Sequence, residues 1–138
     1  MIVRKFQPED FMAINDDLTE LAWSNVLTLE AIRLIRGPAY TAVHSGKVIG
    51  CGGVIINGNE GEAWGAFSRS IPLTVALDGA IVAKDTLADI MKSWNLKRLY
   101  ARARKDFKKG QRYLHFLGFR LGSNQRDKSE TLMYVREA

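Results

Sequence analysis

Two adjoining stretches near the end of the chain, Arg98-Leu-Tyr-Ala-Arg-Ala-Arg104 and Gly110-Gln-Arg-Tyr-Leu-His-Phe-Leu-Gly-Phe119, decide the reading of the fold. The first alternates apolar and polar residues as a strand does. The second, after a basic turn, carries an amphipathic helical pattern that stops at Gly-Phe. A strand, a turn and a short helix closed by glycine therefore form the last third of the molecule.

The pattern extends outward from there. Ile2 to Gln7 alternates as a half-buried strand would. Pro8-Glu9-Asp10 opens a helix, with proline in the first turn and acids at the positive end of the dipole. Phe11, Ile14, Leu18, Leu21 and Ala22 recur on its apolar face. A second helix is expected from Thr28, with Leu29, Ile32 and Ile35 on one side and Gly37-Pro38 as its stop.

Tyr40 to His44 and Val48 to Ile56 read as strands joined by the tight turn Ser45-Gly46-Lys47. Gly50, Gly52 and Gly53 inside the second of these permit a bulge or a close approach of another backbone. Asn57 to Gly61 is a further turn, and Glu62 to Phe67 a third strand. Ser68-Arg-Ser-Ile-Pro72 opens the longest helical pattern, carried by Ala76, Ala80, Ala83, Leu87, Met91 and Trp94. Leu99 to Ala103 is then a strand, Phe107 to Leu117 a helix, and Phe119 to Leu121 with Leu132 to Val135 a closing strand pair. The order β-α-α-β-β-β-α-β-α-β-β predicts a single mixed α/β domain over residues 1–138.

Composition narrows the function. With 138 residues, 46% hydrophobic and 25% charged, the chain can bury one core without disulfides or metal. The lone Cys51 has no partner for a bridge, and no signal-like segment precedes the first strand, so a reducing cytoplasm is expected. No apolar run approaches the roughly 20 residues that span a bilayer, so no membrane partner is expected. Two His and one Cys argue against a dedicated transition-metal site.

The net charge of +5 is concentrated. Residues 97–128 hold eleven Lys and Arg against Asp106 and Asp127, which makes that segment +9 and the remainder −4. A focused positive region attracts a polyanion such as nucleotide phosphates, an acidic protein or nucleic acid, although it also serves simply as a solvated face. Tyr100, Phe107 and Tyr113 are interleaved with these cations, as stacking on single strands would use. Their spacing fits core burial equally well, and nucleic acid is not the expected partner.

Three segments carry a resemblance: Ser45-Gly-Lys-Val-Ile-Gly-Cys-Gly-Gly53, Gly61-Glu-Ala-Trp-Gly-Ala-Phe-Ser68 and Arg112-Tyr-Leu-His-Phe-Leu-Gly-Phe119. Together with the element order they resemble the GNAT acyltransferase superfamily over nearly the whole chain. Within it they are most similar to small phage and prophage GNAT-like proteins, including the internal virion proteins of short-tailed phages. The resemblance implies the GNAT-like acyl-CoA N-acyltransferase fold, a mixed, mostly antiparallel sheet flanked by about four helices. It further implies acetyl-CoA lying in a splay between the strands at Glu62–Phe67 and Leu99–Ala103, and an amine acceptor that attacks the thioester directly.

The resemblance also assigns residues. Ala66 and Phe67 on the third strand, then Ser68, Arg69, Ser70 and Thr74 in the following turn, would hold the cofactor with Arg112. That turn, Ser68-Arg-Ser-Ile-Pro-Leu-Thr74, has no glycine where the family carries a Gly-rich loop, and Pro72 lacks one N–H donor. Ser68 and Pro72 also suit an ordinary helix start. The family's general acid is a Tyr four residues before the Gly of Gly-Phe. Here that position is Leu114, and Tyr113 stands one step, about 100° of helix, away. Tyr113 is the candidate acid, and Glu62, ahead of Glu60, the candidate base.

His44 and His115 fit surface roles, and Cys51 reads as a small buried residue with no base to activate it. Asp16, Asp17 and Glu20 lie where this fold borders its acceptor. A second reading keeps the fold but drops the chemistry: a non-catalytic phage protein that binds a virion or host partner, in the bacterial host cytoplasm or the virion. Exposed Trp23 or Trp94 in an apolar patch would point to an interface.

Overall fold

In a computed structural model, residues 1–14, 37–68, 71–106, 108–122 and 131–138 are described. Ten elements follow in the order β1 (Ile2–Lys5), α1 (Pro8–Ile14), β2 (Ala39–His44), β3 (Lys47–Asn57), β4 (Glu60–Phe67), α2 (Leu73–Ser93), β5 (Arg98–Arg104), α3 (Lys108–Phe116), β6 (Arg120–Leu121) and β7 (Thr131–Glu137). The seven strands form one sheet in the order β1-β2-β3-β4-β5-β7-β6. Its pairs are antiparallel except β4 with β5, and α2 supplies the crossover that this parallel pair needs. This is the mixed, mostly antiparallel sheet the resemblance implies, with three helices among the described residues where about four were expected. The helix expected from Thr28 to Ile35 lies outside them, as do Leu18, Leu21 and Ala22 of the first.

Local chemistry sets the joints. Ser45 and Gly46 both take positive φ (50° and 74°), as the two central residues of the β2–β3 hairpin must for the turn to follow the strand twist. At the end of α3, Gly118 has φ 98°. Its N–H donates to the His115 carbonyl at 3.1 Å, and the Phe119 N–H donates to that of Leu114 at 3.0 Å. That pair of bonds satisfies two terminal carbonyls, and the apolar contact that accompanies such a stop is present: Leu114 and Phe119 are both fully buried in one core.

The core has two layers, one on each face of the sheet. On the α2 and α3 face, Val54, Ala63, Leu87, Leu99, Leu114 and Phe119 pack together. On the α1 face, Phe11 and Ile14 pack on Cys51, Trp64 and Ala66. β4 alternates between the two, sending Ala63 and Phe67 to one face and Trp64 and Ala66 to the other.

Two sequence expectations change. All four residues of β1 are exposed rather than half-buried, because β1 is the edge strand. The long helix begins at Leu73 rather than at Ser68, and Pro72, at φ −60° and ψ 149°, is its N-cap. β1 is nonetheless tied down. The buried Asp10 carboxylate accepts from both terminal nitrogens of Arg4 (2.7 and 2.8 Å), from the Gln7 N–H (2.9 Å) and from the Thr41 hydroxyl (2.7 Å). β1, α1 and β2 are thereby joined through one carboxylate.

Candidate active site

β4 and β5 are paired only at their beginnings, through Glu60 with Arg98, Gly61 with Leu99 and Glu62 with Tyr100. Beyond that point β5 keeps pairing with β7 as far as Arg104, whereas β4 keeps pairing with β3 as far as Phe67. The two strands therefore diverge from Ala63 and Ala101 onward, and a V-shaped opening is left inside the sheet.

The N-terminus of α2 and one side of α3 stand beside this opening. Among the described residues no side chain caps α2 at Pro72, and the amides of Leu73, Thr74 and Val75 have no acceptor within the helix, which makes this an anion-attracting end. Lys109 and Arg112 extend from α3, and both, with Ser68 and Ile71, line a cavity of about 650 Å³ that runs along the diverging half of β4. Both cations belong to the basic run that the sequence offered as a seat for nucleotide phosphates.

The expected site residues divide between the faces. Phe67, Ser68, Arg112 and Tyr113 all line the cavity. Tyr113, and not Leu114, is the helix position that meets it: Leu114 is fully buried in the core, while the Tyr113 ring stands edge-on to Phe67, centroids 5.3 Å apart. Burial holds the Tyr113 phenol well above its ordinary pKa. Ring and hydroxyl are thus inside the molecule and not presented for base stacking.

Ala66 points the other way, into the α1-face core, so only its backbone adjoins the opening. Thr74 is exposed on the first turn of α2, and its side chain is not part of the cavity wall. Arg69 and Ser70 lie outside the described residues. Glu62 shares the α1 face with Trp64, two residues along the strand, and pairs loosely with Arg102 at 3.9 Å, each side chain about one-third exposed. The Arg102 Nε itself is buried without a hydrogen-bond partner among the described residues. Glu62 and Tyr113 therefore approach from opposite faces, joined through the opening.

The remaining candidates are structural or peripheral. Cys51 is buried against α1, and desolvation, with the nearby Asp10 charge, pushes its thiol up to about 12. His115 is exposed on α3, and His44 sits partly buried at the hairpin. Trp94 is half-exposed at the C-cap of α2, and Trp23, Asp16, Asp17 and Glu20 lie outside the described residues. No helix among the described residues is long and apolar enough to cross a membrane.

This arrangement is the GNAT acyltransferase fold. The chain superposes on Ard1 from Thermoplasma volcanium with a TM-score of 0.75 at 16% identity, covering 99% of this chain and 97% of the other. PaiA N-acetyltransferase from Thermoplasma acidophilum, solved in complex with coenzyme A, matches with a TM-score of 0.73 at 11% identity, covering 99% and 98%. A GNAT-family acetyltransferase from Streptococcus pneumoniae matches with a TM-score of 0.68 at 13% identity, over 99% and 98%. No protein-family model matches the sequence, and no curated protein is close enough to count as a relative.

Proposed function

We propose that this protein is an acyl-CoA-dependent N-acyltransferase, with acetyl-CoA as the donor the resemblance implies. The observation that carries the proposal is the opening between β4 and β5, flanked by the uncapped start of α2 and by Lys109 and Arg112. The residues present fit the cofactor's parts. Free amides at a helix N-terminus, with two cations opposite, suit a pyrophosphate even without a glycine loop. The divergent backbone of β4 suits a pantetheine amide.

Acyl-CoA supplies an acyl group activated as a thioester. The chain's own groups would do the rest. Glu62, on the α1 face, takes the proton from the incoming amine. Backbone N–H groups of β4 polarise the thioester carbonyl. As the C–N bond forms and the C–S bond breaks, Tyr113, on the other face, returns a proton to the departing thiolate. Entry of the nucleophile on one face and exit of the leaving group on the other is the division that the two residues' placement offers.

Phage or prophage origin and a bacterial host cytoplasm belong to the same proposal, supported by the three matching segments. A second reading has its own observation: the glycine-free turn and the Glu62–Arg102 pair suit a fold kept as a scaffold for a virion or host protein. Calorimetric titration with coenzyme A separates the two. Micromolar binding that is lost in the Lys109→Ala/Arg112→Ala variant supports the enzyme, and no heat at low or physiological salt overturns it in favour of the scaffold.

A further inference from the structure

The cavity extends past the groups assigned to the phosphates, as far as Val3 and Tyr40 at the sheet edge. At about 650 Å³ it is roughly four times the ~150 Å³ apolar cavity that holds a benzene ring. Its shape follows from the sheet register. Val3, Ala42, Gly50 and Phe67 stand in one row across β1 to β4, and Tyr40, Gly52 and Gly65 in the next. All seven line the cavity. The Phe67 ring lies over Gly50, where a Cβ would come within 2.8 Å of it, so the open floor toward Val3 and Tyr40 carries little beyond Gly52, Gly65 and Ala42.

In the roof, the N-terminal half of α2 sets Ala76, Gly79 and Ala80 among the larger Val75, Leu77 and Val82. Small residues on both sides leave a continuous apolar space that begins along the diverging half of β4 and runs beneath the helix. Its two cations, Lys109 and Arg112, stand at one end beside the start of α2, while Tyr40, Thr41 and Thr86 add hydroxyls along the rest of the wall. A cationic mouth with an apolar interior matches a ligand whose phosphates sit at one end and whose hydrocarbon sits at the other.

We infer that the donor carries a medium-length or longer hydrocarbon acyl chain, which lies beneath α2 on the floor formed by Ala42, Gly52 and Gly65. This rests on the acyltransferase reading and names the donor class for that same site. The transfer is unchanged: the thioester C–S bond breaks, the amide C–N bond forms, the amine proton goes to Glu62 and the thiolate receives one from Tyr113.

Titration calorimetry with coenzyme A, acetyl-CoA, octanoyl-CoA and free octanoate tests it. Each buried methylene tightens binding by at most about fourfold, so octanoyl-CoA should bind about 100-fold tighter than acetyl-CoA after the cost of ordering the chain. Gly79→Leu should erase that advantage while leaving the affinity for coenzyme A unchanged, since a Cβ there meets only the Met1 methyl at 3.7 Å. Ala76→Leu provides an independent obstruction on the next turn. Equal affinities for the coenzyme A, acetyl and octanoyl forms would overturn the inference and leave the acyltransferase reading standing. Octanoate binding as tightly as octanoyl-CoA would also overturn it, because the cavity would then be a fatty-acid site. Failure of every coenzyme A species to bind would remove both.

Discussion

The Tyr113 ring meets the Phe67 ring edge-on, with centroids 5.3 Å apart and planes at 70°. One ring comes from the last helix and the other from the end of β4, so the contact ties α3 to the margin of the opening. It also fixes where the phenol lies. Tyr113→Phe keeps the ring pair and removes only the hydroxyl. The expected result is a fall in turnover of about 10²-fold or more, with a denaturation midpoint close to that of the parent. Unchanged turnover would show that water or another group supplies the proton.

Asp10 anchors the sheet edge. Replacing it by Ala strands the fully buried Thr41 hydroxyl and the Gln7 N–H, and unfolding in urea should show a loss of about 3 kcal/mol. Desolvation raises the pKa of Asp10, but the bonds from Arg4, Thr41 and Gln7 outweigh it and hold the carboxyl below its ordinary value. The stabilisation is thus present above the unfolded value near 3.8 and is lost as pH falls through the lower folded one. An acid-unfolding curve should shift to higher pH in Asp10→Asn.

Cys51 works in the opposite direction. Its thiol titrates near 9.0 when unfolded and near 12 in the core, so the neutral form contributes stability that is intact below pH 9. That contribution drains away as pH rises toward 12. Cys51→Ala should flatten the alkaline part of the stability profile, and the parent's thiol should resist alkylation until the protein unfolds.

Gly118 tests the α3 stop. An added Cβ meets Arg136 only at 3.4 Å, yet φ 98° is hostile to any L side chain. Gly118→Ala should cost about 1–2 kcal/mol in urea unfolding, and a change below ~0.3 kcal/mol would contradict the assigned helix end.

The order of elements along the chain, both hairpins and the Gly-Phe stop were legible because each rests on local chemistry: alternation, Ser45-Gly46, and Gly118 followed by Phe119. The site was legible only in part. Counting back from Gly118 pointed at Leu114, but the last turn wraps into its cap so that Leu114 packs beneath Phe119 and Tyr113 faces the cavity. The separation of Glu62 and Tyr113 by the sheet depends on the pleat of one strand and the placement of a distant helix. The cavity left no trace in any one segment. Gly50 and Gly52 read as sites for a bulge or a close approach, and only the pairing of Gly52 with Gly65, beneath the small residues of α2, gives that stretch a second meaning. The exposure of β1 likewise follows from its place at the edge, which its own alternation does not encode.

The account's central claim is that the diverging half of β4 receives the cofactor. Amide hydrogen exchange with and without saturating coenzyme A tests it residue by residue. Slower exchange confined to Ala63–Phe67 and to the first turn of α2, Leu73 to Val75, is the predicted result. Binding that leaves those amides unchanged and protects others would contradict it.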